Sequence, residues 1–311
     1  MDISIVIPVL NEERNIPLLY IKIARVMNIF TDSYEIIFVD DGSTDESFKV
    51  IEELNSKDKR VKVVSFRKNF GKASALSAGF EKASGNIIIT MDGDLQDDPE
   101  DIPRFIEKIN HGFDFVNGWK TKKHMEHSFI SMIFSRLFNK MTKVISGVKV
   151  HDFNCPFKAY KKEVAKNLNL YGNMHRYIPL LINQEGYKIG EIIVKNHPRK
   201  YGKGKYGTGR LLKGFLDLIT AKYLVSFMRK PLYLFGTSGL VLTLLGIIIG
   251  IYLTIKKLVY GVAIGNEPLL LLGVLLIIIG AQFISLGLIG ESIISVAGKG
   301  NKEYVIKKEI D

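Results

Sequence analysis

Two long stretches of the chain carry no charged side chain: the 25 residues from Pro231 to Ile255 and the 23 from Pro268 to Gly290. A helix rises about 1.5 Å per residue, so about 20 apolar residues cross the hydrocarbon core of a bilayer. Both stretches clear that length, and only KKLVYGVAIGNE separates them. The pattern predicts a transmembrane hairpin with spans at 231–255 and 268–290. The other reading is a pair of buried helices in a soluble core, which fits poorly in a chain of 311 residues. Just ahead, GRLLKGFLDLITAKYLVSFMRK at 209–230 sets Leu211, Leu212, Phe215, Leu218, Ile219 and Leu224 at near-helical spacing, interrupted by Lys213, Asp217 and Lys222. Such a helix lies among lipid headgroups or packs on a soluble domain. The opening, MDISIVIPVLNEE, has no basic n-region and does not read as a signal peptide.

Charge is unevenly placed. Residues 1–100 carry a net of −6, residues 101–230 a net of +16, and the overall value is +11. The basic middle is suited to anionic lipid, phosphate-bearing ligands or nucleic acid. The acidic first third and the apolar hairpin argue against a long nucleic-acid groove. Positive charge favours keeping the large domain on the cytoplasmic side, with the hairpin returning residues 291–311 to that side as a tail. Lys256 and Lys257, between the spans, weaken that argument without reversing it. The one cysteine, Cys155, excludes an internal disulfide and an all-cysteine metal cluster, and it reads as packing.

Apolar runs at 3–9, 35–40, 61–66, 86–90 and 113–119 read as strands, with helical patterns at 11–27, 46–55 and 71–83 between them. Asp45 or Ser43 is placed to cap the second helix. Strands apolar throughout and separated by helices predict an α/β fold, mostly parallel, with helices on both faces. Ligands of such sheets bind beyond the carboxyl ends of the strands. Pro8, Asn11 and Glu12 follow the first strand, Asp40 and Asp41 the second, Arg67, Lys68 and Asn69 the third, and Asp92, Asp94 and Gln96 the fourth. Four strand ends thus turn polar groups toward one edge, the main reason to expect a site there.

NFGKASALSAG, after the third strand, holds glycines but neither GxGxxG nor GxxxxGK[ST], so a glycine loop there is not read as the main phosphate cradle. The Asp92-Gly93-Asp94 turn offers hard oxygen ligands of the kind Mg²⁺ or Mn²⁺ takes while bridging to phosphates. An Asp-x-Asp by itself is equally a solvated loop or a helix cap. Asp97 and Asp98 read as supporting residues, with a helix N-terminus near Pro99. The six histidines show no cluster.

VIPVLNEERNI at 6–16, VDDGSTDES at 39–47, RKNFGKASALSAG at 67–79 and MDGDLQDDPE at 91–100 together resemble family-2 glycosyltransferases. The nearer resemblance is to the membrane-attached polyprenyl-phosphate group, dolichol-phosphate mannose synthase and bacterial undecaprenyl-phosphate sugar transferases. VHDFNCPFKAYKKE at 150–163 and the basic segment 198–208 match more loosely. The resemblance implies a nucleotide-diphospho-sugar transferase fold over 1–208. It implies a GDP- or UDP-linked sugar donor, a dolichyl-type polyprenyl phosphate acceptor, Mg²⁺ or Mn²⁺, and inverting transfer. Pro8, Glu12, Val39 and Asp41 match nucleotide-holding positions; Asp92, Gly93, Asp94 and Gln96 match the metal and diphosphate positions. Lys120 and Arg136 fall at phosphate or acceptor contacts, Asp152 falls near the acceptor, and Arg199 and Lys205 match basic residues that close over the diphosphate. The expected catalytic residues are Asp92, Asp94, Arg199 and Lys205. Leu10 stands where many relatives have tyrosine, and Lys120 where many have arginine, which replaces a bidentate fork by a point charge. A multi-pass cell-membrane enzyme follows, acting with membrane lipids and not with nucleic acid, and homo-oligomerisation is left open. The rivals are a non-enzymatic membrane-surface binding module and a synthase acting on a glycolipid or polysaccharide acceptor. No QxxRW-type acceptor motif supports the polysaccharide reading.

Overall fold

The computed structural model describes residues 2–120, 150–170, 172, 174–201, 230–261, 263 and 267–297. Arg136, Lys205 and the segment 209–229 lie outside the described residues. The chain divides into two compact units, 1–218 and 219–311.

The first unit is built on one seven-stranded sheet. Its strands are β1 (Ile3–Val9), β2 (Tyr34–Asp40), β3 (Val61–Ser65), β4 (Ile87–Thr90), β5 (Phe115–Lys120), β6 (Lys158–Lys161) and β7 (Ile189–Val194). They lie in the order β3-β2-β1-β4-β6-β5-β7. The pairs β1–β2, β2–β3, β1–β4 and β5–β7 are parallel, whereas β6 is antiparallel to both β4 and β5. This is the mostly parallel sheet expected, with one reversed strand that sequence reading missed.

Side chains alternate across a strand, so each strand divides its apolar residues between two faces. Ile3, Ile5, Ile7 and Val9 of β1 join Ile16, Leu19 and Ile23 of α1 (Ile16–Phe30) and Phe105 and Ile109 of α4 (Ile102–Asn110) in one buried cluster. On the other face, α3 (Lys72–Lys82) approaches through Gly79, where a Cβ would stand 3.3 Å from Val39 Cγ2, and Phe80 packs edge-on against Tyr160 of β6 at 5.2 Å. Helix α2 (Ser47–Lys57) follows β2, and Asp45 Oδ1 accepts from Ser47 N at 3.0 Å at its start.

Helix α1 begins five residues later than its pattern predicts. Asn11 takes φ 53°. Its amide donates to Ser43 Oγ at 2.9 Å and its Oδ1 accepts from Thr44 N at 2.8 Å. These bonds tie the loop after β1 to the loop after β2 and compete with helix formation.

Far from those loops, Glu35 of β2 is fully buried. It accepts from Ser4 Oγ at 2.5 Å and Ser84 N at 2.7 Å and pairs with Lys62. Burial pushes its carboxyl up, but Lys62, Ser4 and Ser84 outweigh that and leave it below its ordinary 4.5. A carboxyl lowered on folding adds stability that is present above the unfolded value and is lost as pH falls through the folded one. Glu35→Gln is therefore expected to cost about 1–3 kcal/mol near neutrality. That difference should shrink as pH falls below 4.5, as thermal unfolding of both proteins across that range would show.

The second unit contains α7 (Pro231–Tyr260) and α8 (Pro268–Ala297). Between α4 and α7 two short helices complete the numbering, α5 (Lys162–Asn167) and α6 (Ile178–Gln184), both in the first unit. Helix α7 runs past Ile255 to Tyr260, where Gly261 at φ 64° ends it. Lys256 and Lys257 thus sit in its last turns, where the helix dipole favours cations, and Lys256 pairs with Glu267 at 2.6 Å. The two helices meet through glycines. A Cβ on Gly239 would stand 2.5 Å from the Gly280 carbonyl oxygen, and one on Gly246 would stand 2.6 Å from that of Gly273. Their spacing of seven residues keeps one small-residue stripe in contact, as membrane helices do. Leu240, Leu244, Ile248, Leu271, Leu275 and Ile278 face outward and are exposed. Length, composition and these outward apolar faces suit an integral membrane hairpin and not a soluble core.

Candidate active site

The carboxyl ends of β1, β2 and β4 open on one edge, and β6 brings its amino end to the same place. Thr90 of β4 pairs with Lys158 of β6. Short turns bend the chain here. Gly42, at φ 71°, has no room for a Cβ, which would stand 2.7 Å from Asn69 N. After β4 the chain turns through Gly93, where a Cβ would stand 3.0 Å from Val9 Cγ1, and through Leu95 at φ 63°. A non-glycine residue in that region costs about 1–2 kcal/mol.

Five carboxylates follow β4 in nine residues, and each meets a base. Asp92 pairs with Lys72, Asp94 with Arg199 at 2.6 Å, Asp97 with Lys120 at 2.8 Å, Asp98 with His197 at 2.9 Å and Glu100 with Lys195 at 3.0 Å. Three of the five bases come from one segment after β7. Lys195, His197 and Arg199 are spaced two apart, the repeat that turns side chains to one side of an extended chain. Backbone bonds fix the segment in place: Asp97 and Asn196 form a bridge, and His197 N donates to Gln96 O at 2.9 Å. Lys195 N donates to Asp101 Oδ2 at 2.8 Å.

The carboxylates differ in setting. Asp97 is fully buried, accepts from Asp92 N at 3.1 Å and anchors Lys120, whose side chain is only 14% exposed. Burial disfavours the Lys120 ammonium, yet Asp97 holds its pKa above the usual lysine value. Asp98 accepts from Glu100 N at 3.1 Å and starts the 3-10 turn Pro99–Asp101 that leads into α4. The expected supporting roles of Asp97 and Asp98 match these contacts. Asp94 is buried, and its Oδ1 accepts from Gln96 N at 3.1 Å. Burial, reinforced by the charges of Asp92 and Asp97, holds its carboxyl above the ordinary aspartate range against Arg199. Burial pushes Asp92 the same way, but Lys72, Lys120 and Lys158 outweigh it and bring it below that range. Lys158 is itself buried, donates to Cys155 O and is lowered to about 8 by desolvation. His175 is pushed down to about 3 by burial and by Lys72, Arg176 and Lys158.

The residues expected to hold the nucleotide lie at the ends of β1 and β2 and just after them. Pro8 lies opposite Val39 in the parallel register. The Val39 side chain is fully buried, so any ligand meets its backbone. Glu12 N donates to Ser47 Oγ at 2.8 Å, and Glu12 Oε2 accepts from Asn15 Nδ2 at 2.5 Å. Asp41 is buried and accepts from Phe70 N at 2.7 Å and Gly71 N at 3.0 Å, which fastens the loop before α3. On the far side, Asp152 Oδ1 accepts from Asn154 N at 3.1 Å, and burial raises its carboxyl pKa against Lys158 and Lys120. His151 pairs with Glu191 at 2.6 Å and stacks on Trp119 at 4.2 Å, contacts that account for it structurally. Buried Cys155, its thiol pushed up to about 12 by burial, is packing.

Among the described residues, no three His, Cys, Asp or Glu side chains are grouped to hold a metal ion. Asp92 and Asp94 supply two carboxylates, with Gln96 beside them. Burial, then the charges of Asp92 and Asp97, raise the Asp94 carboxyl, and a cation bound beside it would favour its ionised form. Mg²⁺ commonly binds through one or two carboxylates plus substrate phosphates and water, so the residues fit such an ion.

Sequence reading brought Asp92, Asp94, Gln96 and Arg199 to this place, and it missed Lys72, Lys158, Lys195 and His197. The alternating bases after β7 were the available signal for Lys195 and His197; Lys72 and Lys158 lie within the motifs at 67–79 and 150–163, which gave neither a role.

The family model described as Glycosyl transferase family 2 matches residues 4–168. The dodecaprenyl-phosphate galacturonate synthase of Rhizobium johnstonii is 33% identical over 317 residues, covering 100% of this chain and 94% of that protein. The undecaprenyl-phosphate 4-deoxy-4-formamido-L-arabinose transferase of Shewanella sediminis is 35% identical over 293 residues, 94% of this chain and 86% of that one. The glucosyl-3-phosphoglycerate synthase of Mycobacterium tuberculosis, solved with Mn²⁺, uridine diphosphate and glucosyl-3-phosphoglycerate, has the same fold. It superposes with a TM-score of 0.56 at 20% identity, over 72% of this chain and 79% of that one. The chain belongs to glycosyl transferase family 2 and is a glycosyltransferase.

Proposed function

We propose that the protein transfers a sugar from a nucleotide diphosphate to a polyprenyl phosphate at a membrane, with inversion at the anomeric carbon. The observation that carries this reading is the Asp92-Gly93-Asp94 turn at the carboxyl end of β4, with basic side chains on both carboxylates. The relatives that match nearly the whole chain are named for dodecaprenyl- and undecaprenyl-phosphate sugars, which favours bacterial-type polyprenols over dolichol.

The acceptor nucleophile is a phosphate oxygen, anionic at neutral pH, so no general base is needed. Its bond to the anomeric carbon forms as the bond to the diphosphate oxygen breaks. The electron pair leaves with the diphosphate, and attack from the opposite face inverts the centre. Asp92 and Asp94, beside Gln96, would hold a divalent cation, Mg²⁺ or Mn²⁺, which when bound would supply neutralising charge for the leaving diphosphate. Pro8, Glu12, Val39 and Asp41 bound the nucleotide side of the cleft, and Gly93 lets the turn sit close to β1. Arg199, paired with Asp94, is assigned to the diphosphate, and Lys120, paired with Asp97, would have to leave that carboxylate to meet a phosphate. These bases offset the repulsion between two phosphate-bearing substrates. Arg136 and Lys205 are assigned the same task, and Asp152 is assigned to orient a base or the sugar at the acceptor side. The catalytic domain, 1–208, lies on the cytoplasmic side, joined through 209–230 to the hairpin 231–290.

The test is an extraction assay. Full-length protein in detergent is given Mg²⁺ or Mn²⁺, a short-chain polyprenyl phosphate, and labelled UDP- and GDP-linked hexoses, uronates and pentoses. Label should enter the organic phase only with the lipid phosphate present, and a chelator should abolish it. No lipid-linked product with any donor would refute the acceptor assignment, and chelator-resistant transfer would refute the metal.

A further inference from the structure

Lys72 opens α3, a helix with no acidic residue in its first turn. A helix N-terminus carries partial positive charge and favours anions, so a lysine there stands against the dipole. The amides just before it are committed elsewhere, since Phe70 N and Gly71 N donate to Asp41. The ammonium instead crosses to the carboxylate of Asp92 on the β4 edge. The two side chains are 32% and 31% exposed, so this ion pair is open to exchange. Asp94 is satisfied in the same way by Arg199 at 2.6 Å. Both carboxylates of the turn are therefore already neutralised by the chain's own cations.

We propose that Lys72 is the exchange cation of the site. It competes with the divalent metal for Asp92, and it gives that carboxylate up when a nucleotide diphosphate offers its ammonium a phosphate oxygen. The inference rests on the metal reading above. An ammonium in contact with Asp92 and a divalent ion on the same carboxylate repel each other, so a metal alone must displace Lys72 without recompense. A bound diphosphate removes that penalty, because lysine is a compact charge on a flexible stem that can swing to a new anion. Metal and nucleotide then raise each other's affinity by one shared factor, and part of that factor resides in Lys72.

Mn²⁺ binding to the full-length protein, followed by electron paramagnetic resonance with and without UDP or GDP, tests this. Lys72→Met should bind Mn²⁺ alone about tenfold more tightly than the wild type and gain correspondingly less from nucleotide. Lys72→Arg keeps the charge and should stay at the wild-type affinity. Lys72→Gln repeats the neutral substitution with a different side chain, and circular dichroism confirms that each variant is folded. If the neutral variants match the wild type in both affinity and nucleotide gain while Asp92→Asn loses the metal, the inference about Lys72 is wrong and the metal site stands. If Asp92→Asn binds Mn²⁺ as the wild type does, the metal reading fails and takes the inference with it.

Discussion

Asp94→Ala is expected to slow sugar transfer by about a thousandfold or more, the equivalent of about 4 kcal/mol of lost transition-state stabilisation. Asp92→Ala should do nearly the same. The argument is electrostatic. A leaving diphosphate gains charge as the glycosidic bond breaks, and only groups fixed before that moment lower its cost. Asp94 is fixed: it is 5% exposed, holds Gln96 N at 3.1 Å and meets Arg199 at 2.6 Å. The site also holds it in an unfavourable setting, crowded by Asp92 and Asp97. A protein keeps such crowding where function requires it, so removing the side chain should leave the melting temperature little changed. Initial rates of lipid-linked product, read beside thermal unfolding, separate the two effects. Activity within tenfold of the wild type would refute the assignment. Asp98→Asn makes an informative contrast, since Asp98 pairs with His197 and starts the turn into α4, and its loss should act on stability before rate.

Gly280→Leu is expected to spread the two apolar helices and destabilise the second unit. A Cβ on Gly280 already falls 2.6 Å from the carbonyl oxygen of Gly239, and that oxygen belongs to a helix backbone that has no rotamer to give. Overpacking costs about 1–3 kcal/mol where side chains can move aside, and a backbone contact leaves less room. Lipid provides no hydrophobic force to press the helices back together, so close van der Waals contact carries much of their association. Ile278→Leu is the control, because Ile278 is 51% exposed and faces away from the seam. Thermal unfolding in detergent should fall by several degrees for the glycine variant and stay unchanged for the control. Equal melting of the two would mean that the glycine stripe does not hold the hairpin.

The first half of the sheet was readable because each of its strands is an apolar run broken by turn residues; ISIVIPV and YEIIFVD leave little choice. The later strands were not. KAYK has lysine at both ends, and its apolar content is two residues. IGEIIV alternates weakly and carries an acid. Their strand character comes from neighbours: β6 is held between β4 and β5, and β7 leans on β5. The start of α1 was misjudged because Asn11 bonds to residues 32 and 33 positions away. The same distinction runs through the site. The aspartates could be found because they sit next to a strand end in sequence. Their partners reach them over 20 positions for Lys72 and 105 for Arg199. Pairing of that kind is set by topology, and local patterning carries no trace of it. Lys120 was expected to face a phosphate. Instead it pairs with buried Asp97, 23 positions away and across β6 in the sheet order, which one-dimensional spacing does not record.

The reversed direction of β6 divides the working rim into two territories. Beside β1, β2 and β4 the loops that line it leave their strands; beside β6 the lining loop, 150–157, enters one. The incoming loop is fastened sideways, through Asp152 O to Asn117, Pro156 O to Thr90 and His151 to Glu191. The outgoing turns are fastened to each other, through Asn11 to Ser43 and Asp41 to the amides before α3. A change in the incoming loop is therefore felt in β4, β5 and β7, and a change in an outgoing turn is felt in its neighbouring turn.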